Sequence, residues 1–260
     1  MLKVRVIPTL LWKNFGLVKG VGFNSWRRVG SILPAVKVYN TRQVDEIIIV
    51  DISASVQNTA PDFDMLREIA YESFVPLTFG GGIKNVEDIK QALRLGADKI
   101  SINSAAIADP DLIKKASERF GSQCVVVSID AMQNDNGKFY CYTHSGTVQT
   151  NKEVIAWAKE AMALGAGEIL LTDILLDGSM QGYNQKLIRE VSEAVNIPII
   201  ASGGAGKMQD FYAAIADNGA SAVAAASLFH FTQTTPLEIK NYLAAKGLCV
   251  RNVNVNYSCI

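Results

Sequence analysis

Short aliphatic runs recur along the chain with amphipathic stretches between them, and the alternation is regular from end to end. Apolar runs at 3–9, 46–51, 75–79, 98–103, 124–129, 168–172, 197–201 and 221–226 predict strands. Apolar positions three and four apart at 33–43, 62–73, 85–95, 110–120, 152–164, 184–195, 207–217 and 235–246 predict helices. Eight strands alternating with eight helices predict a parallel sheet, and the count favours closure into a (βα)8 barrel over an open doubly wound sheet. The first stretch, VRVIPTLLWKNFG from Val4 to Gly16, reads as a strand that Pro8 interrupts, followed by a loop from Asn14. Its Leu10, Leu11 and Trp12 are apolar where such strands usually hand over to polar chemistry.

The chain also repeats itself. The segment FGGGIKNVEDIKQALRLGADKISINSAA from Phe79 resembles SGGAGKMQDFYAAIADNGASAVAAASLF from Ser202. Gly80 and Gly203 stand 123 residues apart, as do Gly96 and Gly219. A constant offset across a helix and a strand predicts two half-barrels, roughly 1–122 and 123–260, and no linker divides the chain, so 1–260 reads as one domain.

Composition narrows the function. Twenty-five Lys and Arg balance 25 Asp and Glu, which leaves no charge excess to drive binding to nucleic acid or a membrane surface. The mean hydropathy of +0.16 suits a large core. Neither a membrane-length apolar run nor a signal peptide is legible, and the cysteines at 124, 141, 249 and 259 have no paired spacing. A cytoplasmic protein with reduced thiols, no metal and no cofactor is expected. His144 and His230 are too few for a histidine metal centre, and His230 reads as a structural residue at a helix end.

A barrel binds ligands beyond the C-terminal ends of its strands. Those ends carry Asp51, Gly80–Gly82, Asn103 and Ser104, Asp130, Thr172 with Asp177 and Gly178, Ser202–Gly204, and Ala226 with Ser227. One glycine-rich strand end is ordinarily a tight turn. Two at a fixed offset favour a pair of facing phosphate sites, because glycine lets backbone N–H groups approach an anion. A phosphorylated small molecule is the expected ligand.

From Arg5 to about Arg251 the chain resembles the cyclase subunit of imidazole glycerol phosphate synthase. The likeness rests on DISAS at 51–55, FGGGI at 79–83, GADKISIN at 96–103, GSQCVVVSIDA at 121–131, GAGEILLT at 165–172, DG at 177–178 and PIIASGGAGKM at 198–208. The resemblance implies a barrel that takes ammonia from a glutaminase at its bottom to a bisphosphorylated substrate at its top. It implies phosphate contacts at Gly82, Asn103, Ser104, Asp177, Gly178, Gly204, Ala226 and Ser227, and a flexible first loop bearing Lys19. It also implies two acid–base aspartates. One matches Asp130; at the other position stands Leu11, which has no ionisable group. The first loop, VGFNSWRRVGSILP at 21–34, departs from the family's more acidic version, and its Trp26, Arg27 and Arg28 either touch a ligand or form a solvated basic loop.

Arg5, Glu46, Lys99 and Glu168 begin strands, and parity turns them into the barrel. Two cations and two anions in a normally aliphatic interior read on their own as a rim of ion pairs; the resemblance implies a ring gating the ammonia passage. Thr78 and Ser101 sit above it as channel residues, and Asp98 beside it could face a partner. An intact ring beside a lost carboxylate favours a subunit that still conducts ammonia. Relatives of this kind resemble accessory subunits serving a sugar amidotransferase in surface-polysaccharide synthesis. The alternatives are a working cyclase of histidine biosynthesis, with Asp130 alone or helped by Asp51, a phosphosugar isomerase, and a scaffold with an empty top face.

Overall fold

A computed structural model describes residues 3–14 and 16–251. Its strands are β1 (Arg5–Lys13), β2 (Gly16–Val21), β3 (Asn24–Gly30), β4 (Ile47–Asp51), β5 (Leu77–Gly80), β6 (Lys99–Ile102), β7 (Val125–Gln133), β8 (Phe139–Thr143), β9 (Val148–Glu153), β10 (Glu168–Asp173), β11 (Ile199–Ser202) and β12 (Ala222–Ala225). β1, β4, β5, β6, β7, β10, β11 and β12 pair in that order, all parallel, and β12 closes on β1. The fold is a closed (βα)8 barrel.

The returning helices form where the 3.6-residue period predicts them, and local chemistry sets their ends. Asn85 accepts from the N–H groups of Glu87 and Asp88 at the head of helix Val86–Arg94, which buries Ile89 and Ala92. Thr235 and Glu238 form a capping box before helix Pro236–Ala245. The 207–217 helix is shorter in its regular part: Met208–Tyr212 is α-helical, and Ala213–Asp217 forms a wider π turn. Inside the barrel, Ile7, Ile48, Val126, Leu170, Ile200, Ala222 and Ala224 pack into one apolar plug. Each large aliphatic side chain so buried contributes about 1.5–3 kcal/mol.

Two local expectations are corrected. Pro8 does not interrupt the first strand, which runs on to Lys13. The backbone of Val6 faces Asp45 on the β4 side, so two residues later the missing N–H of Pro8 faces the same side. The ladder to β4 begins only at Thr9, so no bond is lost. Residues 21–34 are not a loop: β2 and β3 form an antiparallel hairpin joined to the upper half of β1. A second excursion, β8 and β9, extends β7 in the same way and was not foreseen. The terminal stretch NVNVNYSCI, with Cys259, lies outside the described residues. No described helix is long and apolar enough to cross a membrane.

Candidate active site and the ring beneath it

At the bottom of the barrel the four strand-start charges converge. Arg5 Nη1 bonds Glu46 Oε2 at 2.6 Å, and Arg5 Nη2 bonds Glu168 Oε1 at 2.9 Å. Lys99 Nζ bridges the same carboxylates, at 2.9 Å to Glu46 and 3.1 Å to Glu168. The hydroxyl of Thr78 donates to the remaining Glu46 oxygen at 2.5 Å, so Thr78 belongs to the ring as its hydrogen-bonding edge. Burial alone would favour deprotonated Arg5, but the two carboxylates outweigh it and hold the guanidinium above its ordinary pKa. Asp98 is exposed at this end, and one of its oxygens accepts the N–H of Leu77 at 2.8 Å.

At the top, the strand ends enclose a cavity of about 290 Å³. Leu11, Lys19, Asp51, Gly82, Ser101, Asn103, Ser104, Asp130, Thr172, Asp177, Gly178, Gly204, Ala226 and Ser227 all line it. Leu11 on β1 and Asp130 on β7 lie on opposite sides of the mouth, four strands apart in a ring of eight. Gly204 has φ +108°, and a Cβ there would stand 2.1 Å from the carbonyl oxygen of Gly182, so only glycine fits that strand end. The hydroxyl of Ser227 is buried without a hydrogen-bond partner among the described residues, an open donor beside the second glycine cluster. Among the described residues, no three His, Cys, Asp or Glu side chains converge where a metal could sit.

Lys19 is not carried on a loop. It sits on β2, only 2% exposed, and pairs with the Asp177 carboxylate under the hairpin. The hairpin roofs one side of the cavity: Gly22 N–H donates to Asp177 O at 2.8 Å, and Phe23 and Trp26 line the cavity. Of the three loop residues singled out above, Trp26 faces the cavity, Arg27 stacks on the Phe231 ring at 3.8 Å, and Arg28 lies on the exposed face. His230, in helix Ser227–Phe231, is pushed down to about 4 by burial and then by the charge of Lys19. Asp51 directs one oxygen to the N–H and hydroxyl of Ser53 and the N–H of Ala54, so it braces its own turn while lining the cavity.

Sequence reasoning passed over Ser128 and Ser145 and gave His144 no role in the site. Ser128 stands two residues below Asp130 on the same face, and the β8–β9 hairpin brings His144 and Ser145 to the rim. Both rim residues have left-handed backbone, φ +51° and +53°, and Ser104 Oγ accepts the His144 N–H at 3.0 Å. Positive φ at consecutive non-glycine residues costs about 1–3 kcal/mol each and tends to gather at functional sites.

Asp130 is the chemically poised group. Burial pushes its carboxyl up to about 7; the charge of Asp177 adds to this, and hydrogen bonds from Asn103 and Ser128 oppose it. Asn103 Nδ2 donates to Asp130 Oδ2 at 2.9 Å and to Tyr142 O at 3.0 Å, so its side chain is committed to orienting the carboxyl. A raised folded-state pKa favours the protonated form, so this stability is complete below pH 4 and is lost as pH rises through 7. Asp130→Asn removes the penalty. Because Asp130 is half-buried, the full shift is discounted to a gain of roughly 1–2 kcal/mol, or about 2–8 °C in Tm, at pH 8. No gain is expected at pH 4, and calorimetry at the two pH values checks it.

The family model for "histidine biosynthesis protein" matches residues 5–235. Three relatives named imidazole glycerol phosphate synthase subunit HisF match over nearly their full length. The one from Endomicrobium trichonymphae is 44% identical over 258 residues, covering 99% of both chains. The one from Clostridium botulinum strain Okra is 47% identical over 252 residues, 96% of this chain and 100% of the relative. The one from Dehalococcoides mccartyi is 46% identical over 254 residues, 98% and 100%.

Proposed function

On the premise that the chain belongs to the histidine-biosynthesis family, and within it to the HisF cyclase subunits of imidazole glycerol phosphate synthase, we propose that it is a divergent member that conducts ammonia without closing the imidazole ring. Subunits of this family work with a glutaminase subunit. In this reading the glutaminase docks below the ring of Arg5, Glu46, Lys99 and Glu168 and releases ammonia into the barrel. The apolar plug favours passage as neutral ammonia, because an ammonium ion would pay a large desolvation cost among Ile7, Ile48 and Leu170. The hydroxyls of Thr78 and Ser101 supply hydrogen bonds along the way. The acceptor is a sugar amidotransferase of amidino-sugar synthesis, and the phosphate-grade strand ends still hold a phosphorylated ligand.

The observation that carries this is Leu11 facing a cavity above a complete ring. Ring closure calls for two titrating groups with separated pKa values, and here one side of the mouth has none. The second reading, an active cyclase of histidine biosynthesis, is favoured by one observation: every other residue matched to the phosphate and acid–base positions lines the same cavity. The two are separated by mixing the chain with its glutaminase, the bisphosphorylated substrate and ammonium. Imidazole glycerol phosphate formation below about 10⁻² of a HisF relative's rate is expected. A rate within tenfold of the relative's would establish the second reading instead.

A further inference from the structure

The turn between β8 and β9 reaches across the mouth of the barrel, and two hydrogen bonds fix where it lands. The N–H of His144 donates to Ser104 Oγ at 3.0 Å, and Ser145 Oγ donates to the carbonyl of Ile52 at 2.5 Å. Ser104 follows β6 and Ile52 follows β4, and these two strands flank β5 in the barrel. β5 ends at Gly80 and runs on into Gly81 and Gly82, the first of the two glycine clusters. The turn therefore spans that cluster, and His144 and Ser145 line the cavity there. Its backbone is left-handed at three successive residues, with φ +51° at His144, +53° at Ser145 and +78° at Gly146. Such a run persists only where its surroundings fix it. A Cβ on Gly146 would stand 2.9 Å from the Phe23 ring, so the β2–β3 hairpin closes on the same turn.

The donors around this cluster are mostly committed. Asn103 spends its amide on Asp130 and on the carbonyl of Tyr142. Lys84 gives Nζ to Asn58, at 2.9 Å to the backbone oxygen and 2.6 Å to the side-chain oxygen. Lys19 is held by Asp177 under the other hairpin. His144 differs. Thr143 has one hydroxyl hydrogen, which it donates to Val148 O, so it accepts from His144 Nδ1 at 3.0 Å. That bond places a proton on Nδ1 and leaves Nε2 without a partner among the described residues. An imidazolium held in this way presents Nε2–H as a free, charged donor.

Ser104 adds a second donor. Its oxygen accepts the His144 N–H, so its own hydroxyl hydrogen stays available to an anion at the same strand end. We infer that His144 is a ligand for a phosphate monoester at the Gly81–Gly82 cluster, clamping it from above while Ser104 holds it from the side. A phosphate group has three terminal oxygens, enough to meet the turn and the strand end at once. The inference rests on the reading above only in that the strand ends hold a phosphorylated ligand; the fate of the ammonia does not enter it.

The test titrates the full chain with inorganic phosphate and follows the imidazole nitrogens by NMR. The chain has two histidines, His144 and His230, and His144→Asn assigns their signals. Asparagine is at ease in left-handed backbone, so the turn and the melting temperature are expected to hold in that variant. Phosphate is expected to shift the His144 Nε2 resonance of wild type. Ser227→Ala disables the second cluster; in that background His144→Asn is expected to raise the remaining phosphate Kd by about tenfold or more. His144→Lys, which keeps a charged donor, is expected to bind more tightly than His144→Asn. If His144→Asn leaves that Kd within about twofold, the assignment is overturned whether or not the resonance moves. The loss of affinity caused by Ser227→Ala alone would then still uphold the phosphorylated-ligand reading. If wild type binds no phosphate, that reading falls and the role of His144 falls with it.

Discussion

Leu11→Asp is expected to raise imidazole glycerol phosphate formation from the bisphosphorylated substrate and ammonium by roughly 10²–10⁴-fold over wild type, the usual worth of a positioned acid or base. Leu11 is half-buried at the mouth of the cavity, and its cross-strand neighbours are Val18 on β2 and Val50 on β4. A carboxylate there keeps contact with solvent and ionises, whereas the Asp130 carboxyl is held up to about 7 by burial. The two groups would then titrate apart across the mouth, one as base and one as acid. Lys19, Asp177, Gly82, Ser104 and Ser227 already line the same cavity, so on the reading proposed above the substitution supplies the acid–base group that Leu11 lacks. The gain belongs in kcat, since Leu11→Asp adds a group that acts on the reacting atoms and no phosphate contact. Steady-state kinetics with saturating ammonium measures it. A variant within a few-fold of wild type would mean that the Trp26 roof and the Lys19–Asp177 pair have reshaped the cavity for a different ligand.

The barrel was legible because its sequence periods change sharply. Each strand is a short aliphatic run and each helix a clear 3.6-residue stripe, and the two halves repeat at a fixed offset. The eight barrel strands accordingly fall within a residue or two of their expected starts. The excursions escaped for the opposite reason. β2–β3 and β8–β9 are two-faced hairpins with one side in solvent, so their alternation is diluted by residues such as Asn24, Ser25, Thr147 and Gln149. Pro8 misled because a proline in the middle of a strand is tolerated only where its neighbour has not begun to pair, which is a tertiary fact. In the site, residue types were readable at the strand ends, but their partners were not. That the Lys19 amine faces Asp177, and the Asn103 amide Asp130, follows from contacts 158 and 27 residues apart in sequence.

Glu46→Ala is expected to be the most destabilising single change in the ring, and the comparison it allows bears on why the ring exists. The Glu46 side chain is 2% exposed and receives Arg5, Lys99 and Thr78 together. Its removal leaves two half-buried cations on Glu168 alone and converts a neutral cluster into one of net charge +1. Stranding buried charge in this way costs about 3–5 kcal/mol, which at about 2–4 °C per kcal/mol lowers Tm by roughly 6–20 °C. Replacing all four charges by apolar residues of similar length, Arg5→Met, Glu46→Leu, Lys99→Met and Glu168→Leu, removes the stranded charge and the desolvation cost together. That quadruple variant is expected to melt within a few degrees of wild type, since well-packed hydrophobes usually match a buried ion cluster. If it does, stability is no reason for keeping four charges in an aliphatic barrel, and their retention points to passage. The quadruple variant should then still bind the glutaminase yet release its ammonia to bulk solvent, where a coupled ammonia assay detects it. Calorimetry on the single and quadruple variants decides the first half. A quadruple variant that melts as low as Glu46→Ala would return the ring to a purely structural role.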